Sequence, residues 1–171
     1  MKKLILISGF GGSGKTTCSN ILHAKIAENA LVDADHLFNV EPFIVDDRLG
    51  RIKLKNCTDV ICNFFDEAFP VVICSGLVWS QAELDAIAKA VSSKDCEVWC
   101  FWLKVSKPVR HQRVLARARD GADSQEFLDK IDAMISNPTP MSLPGGHYVE
   151  IETDNLSAQE VVDEMLVRMH H

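Results

Sequence analysis

The sequence predicts an α/β domain of three layers, with helices on both faces of a mostly parallel sheet. Three observations predict it. Short apolar, β-branched runs alternate with helical patterns along the chain, the order that parallel strands and their crossover helices produce. The runs are apolar at successive positions, as in strands covered on both faces. Between the first run and the first helix stands Gly9-Phe10-Gly11-Gly12-Ser13-Gly14-Lys15-Thr16, which fits G-x-x-x-x-G-K-[ST], a loop whose backbone N–H groups cradle phosphates.

The elements follow in order. Residues 3–8, with Leu4, Ile5, Leu6 and Ile7, read as a buried strand. Cys18, Ile21, Leu22, Lys25 and Ile26 recur at helical spacing, so a helix starts near Lys15. Residues 30–33 form a second strand. Residues 36–55 read as irregular, with Pro42 and Gly50 as breakers. A helix is expected over 54–68, with Val60, Ile61, Phe64, Phe65 and Ala68 on one side. Residues 70–75 form the third strand, ended by Gly76. Ser80 and Glu83 make a capping box for a helix running to about Ser92. Residues 97–105 are the longest strand. Pro108 stands in the first turn of a helix reaching Arg119. A loop at 120–123 and a helix at 124–135 follow, then an irregular stretch through 137–146. Residues 147–153 are the last strand, and Ser157 with Glu160 makes a second capping box for the final helix.

The 171 residues match one domain by size. A net charge of −6 argues against nucleic-acid or membrane-surface partners. No apolar run approaches the roughly 20 residues of a membrane span. Lys2 and Lys3 precede an apolar run that is too short for a secretion signal and flows into the glycine-rich loop. The six cysteines lie mostly in apolar stretches, and Cys57-x₄-Cys62 and Cys96-x₃-Cys100 match neither a zinc nor a redox pattern. Reduced thiols in a cytoplasmic protein are expected. The histidines, including His170 and His171, suggest no metal cluster. Oligomeric state stays open between monomer and homodimer.

The loop names the first ligand. Gly9, Gly11, Gly12, Ser13 and Gly14, with Lys15, Thr16 and Thr17, are expected to hold the phosphates of a nucleoside triphosphate at a helix N-terminus. Lys15 reaches the β and γ phosphates, and the Thr16 hydroxyl serves Mg²⁺. Ligands of such sheets lie outside the carboxyl ends of the strands. That rule brings Asp33, Asp35, Ser75 and Gly76 to the same crevice. We read Asp35 as the group that orients an attacking hydroxyl and takes its proton, and Asp33 as an indirect Mg²⁺ contact. The alternative is that Asp35 caps the turn after the strand while Asp33 is solvated. Arg113 and Arg117 stand four apart on one helix face. One of them is expected to stabilise charge on the transferring group, against the alternative of a solvated basic face. Arg48, Arg51, Lys53 and Lys55 form a basic cluster that either holds an anionic acceptor or is solvated. Phe38 and Phe43 line an acceptor pocket or a small satellite core. Trp99 and Trp102 read as packing, and Trp79 stands near the crevice.

With these residues in place, the chain resembles small P-loop kinases of the nucleoside-monophosphate-kinase and shikimate-kinase type, within the P-loop NTPase fold. Asp33-x-Asp35 is similar to the D-x-D of shikimate kinases, and to the acidic position of gluconate kinases and chloramphenicol phosphotransferases. Arg113-x₃-Arg117 is similar to the R-x₃-R of adenylate kinases, which implies Arg113 at the adenine and Arg117 as a catalytic cation at the phosphates. The stretch around Thr153, Asp154 and Leu156 resembles the adenine-side loop, which implies a nucleotide contact for Asp154. The resemblance implies a five-stranded parallel sheet in the order 2-3-1-4-5, an acceptor-binding segment at about 36–69 and a short lid at about 118–126. Two departures stand out. No acidic residue ends the third strand, where Ser75 stands, and Gly76-Leu77-Val78 lacks the consecutive glycines of shikimate kinases.

The function these readings imply is transfer of a γ-phosphoryl group from Mg·ATP to a small acceptor carrying a hydroxyl or phosphate. The alternative is a nucleotide-binding or regulatory ATPase or GTPase without an acceptor. Asp47-x-x-Gly50 fits the D-x-x-G of GTPases, but the chain has no N-K-x-D guanine reader. A kinase acting on a nucleotide sugar is a further variant, and the acidic charge disfavours a polynucleotide acceptor. Residues 36–69 carry no signature that names the acceptor.

Overall fold

A computed structural model describes residues 2–41, 46–116, 129, 133 and 140–170 of the chain. Strand β1 spans Lys2–Gly9, β2 Asn29–Asp33, β3 Val71–Ser75, β4 Cys96–Lys104 and β5 His147–Glu152. They form one sheet in the order β2-β3-β1-β4-β5, every pairing parallel. Helix α1 spans Lys15–Lys25, α2 Asp47–Asp66, α3 Gln81–Val91, α4 Lys107–Ala116 and α5 Ala158–His170. The expected fold and strand order are those observed.

The side-chain period of two divides β1 between the layers. Leu4 and Leu6 pack under α2 and α3 with Cys57, Ile61, Phe65, Leu84 and Ile87. Ile5 and Ile7 pack under α1 and α5 with Leu22, Val161, Val162 and Met165. Central strands covered on both faces thus explain the unbroken apolar runs of the sequence. All six cysteines are free, and burial pushes the Cys100 thiol up to about 12. Among the described residues no helix is long and apolar enough to cross a membrane.

The second helix departs from expectation. It begins at Asp47, not near residue 54, and includes Gly50. The Asp46 carboxylate accepts the Leu49 N–H at 2.8 Å, a cap that outweighs one interior glycine costing about 1 kcal/mol. Removing that cap with Asp46→Ala is expected to lower stability by about 1 kcal/mol. Thermal unfolding should register this as a melting temperature about 3 °C lower. Pro42, Phe43, Arg117, the expected lid and nearly all of the helix expected over 124–135 lie outside the described residues.

Candidate functional site

The carboxyl ends of β1, β2 and β3 are aligned by register. Ile7 and Asp33 both pair with Ser75, so the loop after β1 and the turn after β2 meet beside Gly76. Two glycines make the phosphate loop possible. Gly9 has φ +140, and a Cβ there would lie 2.6 Å from the Leu103 carbonyl oxygen and 2.8 Å from Ser13 Oγ. Gly12 has φ +83, and a Cβ there would lie 2.6 Å from the Arg110 carbonyl oxygen. Any side chain at either position displaces backbone. Gly14 begins α1 with no side-chain cap, and no acidic residue stands in the first turn. The starts of α2, α3 and α5 are instead served by Asp46, Ser80 and Ser157. Helix α1 therefore directs its N-terminal N–H groups and partial positive charge at the loop, the arrangement that attracts phosphate.

Lys15 Nζ donates to the carbonyls of Gly9 at 2.9 Å and Phe10 at 3.1 Å. Its stem and the Asp35 carboxylate both come close to Gly76. A Cβ on Gly76 would lie 3.8 Å from Lys15 Cε and 3.7 Å from Asp35 Oδ2. Asp35 is held from its other side, because Lys53 Nζ donates to its Oδ1 at 2.9 Å. Asp33 has the turn-capping role that the alternative reading gave to Asp35: its Oδ1 accepts the Asp35 N–H at 3.0 Å.

The basic cluster of the sequence divides. Lys53 turns inward, whereas Arg48, Arg51 and Lys55 line a separate cavity of about 750 Å³ at the start of α2. Lys53 stands in the four-residue row of Leu49, Cys57, Ile61 and Phe65, all buried. The sequence marks Lys53 only as one of four basic residues; its place in an apolar row is what distinguishes it, and that row is visible only once the helix is seen to begin at Asp47. Its ammonium lies 5.2 Å from the Phe38 ring centre and 5.9 Å from that of Trp79, and Lys15 Nζ is also 5.9 Å from Trp79. Phe38 thus packs on the site lysine. The indole is fixed by its Nε1–H donating to the Gly76 carbonyl at 3.3 Å and by its backbone N–H donating to Glu83 at 2.6 Å.

On the opposite side of the loop, a cavity of about 480 Å³ is lined by residues 12–18, Arg113, Ala116, Thr153, Leu156, Ser157, Ala158 and Val161. Arg113 is locked to the end of β5, donating to the Thr153 carbonyl at 2.7 Å and to Thr153 Oγ1 at 3.3 Å. Asp154 is engaged elsewhere: its carboxylate accepts the Ser106 N–H at 2.7 Å, and hydrogen bonds from Ser106 hold its carboxyl below the usual range. It secures the turn into α4 that carries Arg113. Leu156 belongs to the stretch whose resemblance placed it on the adenine side, whereas Ala158 and Val161 were not singled out from the sequence, because small apolar side chains carry no chemical signature. Burial pushes the Cys18 thiol in this wall up to about 11, so it stays protonated.

Thr16 and Asp33 both line a third cavity, of about 460 Å³. Both offer oxygen donors of the kind Mg²⁺ takes, and one Asp33 oxygen is left over by the turn. Among the described residues, no three His, Cys, Asp or Glu side chains converge to hold a metal. This donor set fits an ion that brings phosphate oxygens and water with it, and does not fit an ion caged by protein alone.

By sequence, no protein-family model matches the chain and no curated protein matches it. By structure, it is similar to an unliganded sugar kinase from Janibacter sp. HTCC2649, with TM-score 0.75 and 14% identity over 99% of this chain and 95% of that one. A gluconokinase from Sinorhizobium meliloti 1021 gives TM-score 0.71 and 15% identity over 96% and 90% of the two chains. The Mycobacterium tuberculosis APS kinase CysC, in complex with AMPPNP and APS, gives 0.70 and 14% over 99% and 98%. A lower TM-score of 0.60, with 13% identity over 96% and 97%, relates it to Chaetomium thermophilum Kti12 in complex with ADP-AlF3. At such identities the likeness is one of fold, and the fold is that of small P-loop kinases and their relatives.

Proposed function

We propose that the protein is an ATP-dependent kinase transferring the γ-phosphoryl group of Mg·ATP to a hydroxyl of a small acceptor. The observation that carries this reading is the approach of the Lys15 stem and the Asp35 carboxylate to one point at Gly76, each within 3.8 Å of where a Cβ would stand, beside an uncapped helix N-terminus. A nucleotide-binding protein needs the loop alone. A carboxylate beside the stem of the loop lysine adds what transfer to a hydroxyl requires. In the proposed reaction the acceptor O–H gives its proton to Asp35. The acceptor oxygen bonds to the γ phosphorus, the bond from phosphorus to the bridging oxygen breaks, and ADP leaves. Lys15 balances charge on the phosphates, and the loop N–H groups fix their position. Mg²⁺, held through Thr16 and indirectly Asp33, would shield the phosphate charge. Arg113 and the wall at 156–161 are proposed to receive the adenine, and Arg117 is proposed as a second cation at the transferring group.

A second reading is an ATPase without a small acceptor, favoured by the likeness to Kti12 and by Ser75 in place of an acid at the end of β3. One measurement separates the two. ADP release from Mg·ATP is followed alone and with small hydroxyl compounds added singly. Stimulation by one compound, with its phosphate ester detected by mass spectrometry, is the result expected of the kinase. Steady ADP release that no acceptor changes, at the same rate in Asp35→Ala, would establish the ATPase reading instead.

A further inference from the structure

Lys53 is an unusual occupant of its position. Its side chain is only 13% exposed, on a helix row otherwise filled by Leu49, Cys57, Ile61 and Phe65. An ammonium carries three donors. Among the described residues the one hydrogen bond of this ammonium is to Asp35 Oδ1. Two aromatic rings, Phe38 and Trp79, cover it but accept no ordinary hydrogen bond. A largely desolvated cation with donors to spare beside a 66% exposed carboxylate is arranged for a ligand that presents both a donor and an anion.

Resting on the kinase reading, we infer that the acceptor is a small hydroxy acid, its hydroxyl on Asp35 and its carboxylate on Lys53. The geometry sets the spacing between the two groups. Asp35 Oδ1 and Lys53 Nζ are 2.9 Å apart. A hydroxyl and an anionic oxygen set side by side on the same face of this pair, each about 3 Å from its partner, then lie about 3–5 Å from each other. That span is bridged by two or three carbons, counting the carboxyl carbon, as in 2- and 3-hydroxy carboxylates. A monoanion suits the site better than a phosphate ester. One ammonium faces the anion, with Asp33 and Asp35 close by, and Arg48, Arg51 and Lys55 turn to the other cavity. The exposed part of Trp79, clamped by Gly76 and Glu83, is the surface left for the carbon chain.

The test compares matched acceptors: glycerate and gluconate against glycerol and glucitol, and against glycerol 3-phosphate. ADP release and the ester product are measured, and each compound's binding is read from thermal shift with an ATP analogue present. The expected result is phosphorylation of a hydroxy acid with kcat/KM at least about tenfold above its neutral analogue, the scale of a charge-assisted hydrogen bond. Lys53→Gln should abolish that preference by raising KM for the acid, and Lys53→Arg should restore part of it. Circular dichroism confirms that both variants fold. Equal or better use of the polyol, or of glycerol 3-phosphate, overturns the hydroxy-acid assignment while the kinase reading stands. If no compound is phosphorylated and ADP release is the same in Asp35→Ala, the kinase reading fails. Thermal shift then judges the anion site by itself: stabilisation by the acids that is lost in Lys53→Gln supports it, and any other pattern overturns it.

Discussion

Asp35→Asn is expected to lower kcat by about 10²–10⁴-fold while leaving the protein folded. Asparagine keeps the shape of the side chain and can still accept from Lys53, but it cannot take a proton from the acceptor. The loss should therefore fall on kcat more than on KM for the acceptor. The structural cost is small. The Asp35 side chain is 66% exposed and its ion pair with Lys53 is solvated on one side, a situation worth at most about 1 kcal/mol. The turn itself is held by Asp33, which the substitution leaves in place. Steady-state kinetics with the acceptor that stimulates ADP release gives the answer. A loss smaller than tenfold would mean that Asp35 does not handle the proton, and that Asp33 or solvent takes it instead.

The roles of Asp33 and Asp35 show where sequence can and cannot reach. The strand ending at Asp33 was legible because Leu31 and Val32 precede it, Val32 buried on one face of the sheet and Leu31 partly buried on the other. The function of the carboxylates was legible only to the level of the crevice, because ligands gather at strand carboxyl ends. Which carboxylate caps the turn depends on a 3.0 Å contact between residues two apart, and residue types alone do not choose between two aspartates. The start of α2 was missed for a different reason. Pro42 and Gly50 weigh locally as breakers, yet Asp46 supplies a cap and the row from Leu49 to Phe65 supplies burial, and tertiary packing outweighs propensity. With the helix read as starting too late, Lys53 lost its place in that row. Its partner Asp35 lies 18 residues away, across a turn and a stretch without periodicity. The capping boxes fared better because they are local. Ser80 and Glu83 bond as their spacing predicts, although Glu83 reaches the backbone N–H of Trp79, which fixes the indole over the crevice. Long-range placements such as Arg113 on the Thr153 carbonyl follow from the sheet order, which the resemblance supplied and local pattern did not.

Lys15→Gln tests the donor half of the site, and a loss of about 10³-fold in kcat is expected from removing a preorganised charge at the transferring phosphates. Such a loss corresponds to about 4 kcal/mol of transition-state stabilisation. The lysine does two jobs that glutamine separates. Its ammonium donates to the Gly9 and Phe10 carbonyls, which glutamine can imitate with its amide, so the loop keeps part of its support. The positive charge cannot be imitated. Gly9 and Gly12, whose backbone shape a side chain would block, are untouched, as is the uncapped start of α1. Nucleotide binding should therefore weaken less than turnover, because backbone N–H groups and the helix dipole contribute to holding phosphates in the ground state. Lys15→Arg is not expected to rescue the rate. The guanidinium is planar and broad, and the stem passes within 3.8 Å of the point where a Gly76 side chain would begin, next to Asp35. Measuring ATP affinity by calorimetry beside kcat separates binding from transfer. Equal losses in both would make Lys15 a binding residue only. Retention of kcat within tenfold of the natural protein would remove the donor site from this loop altogether.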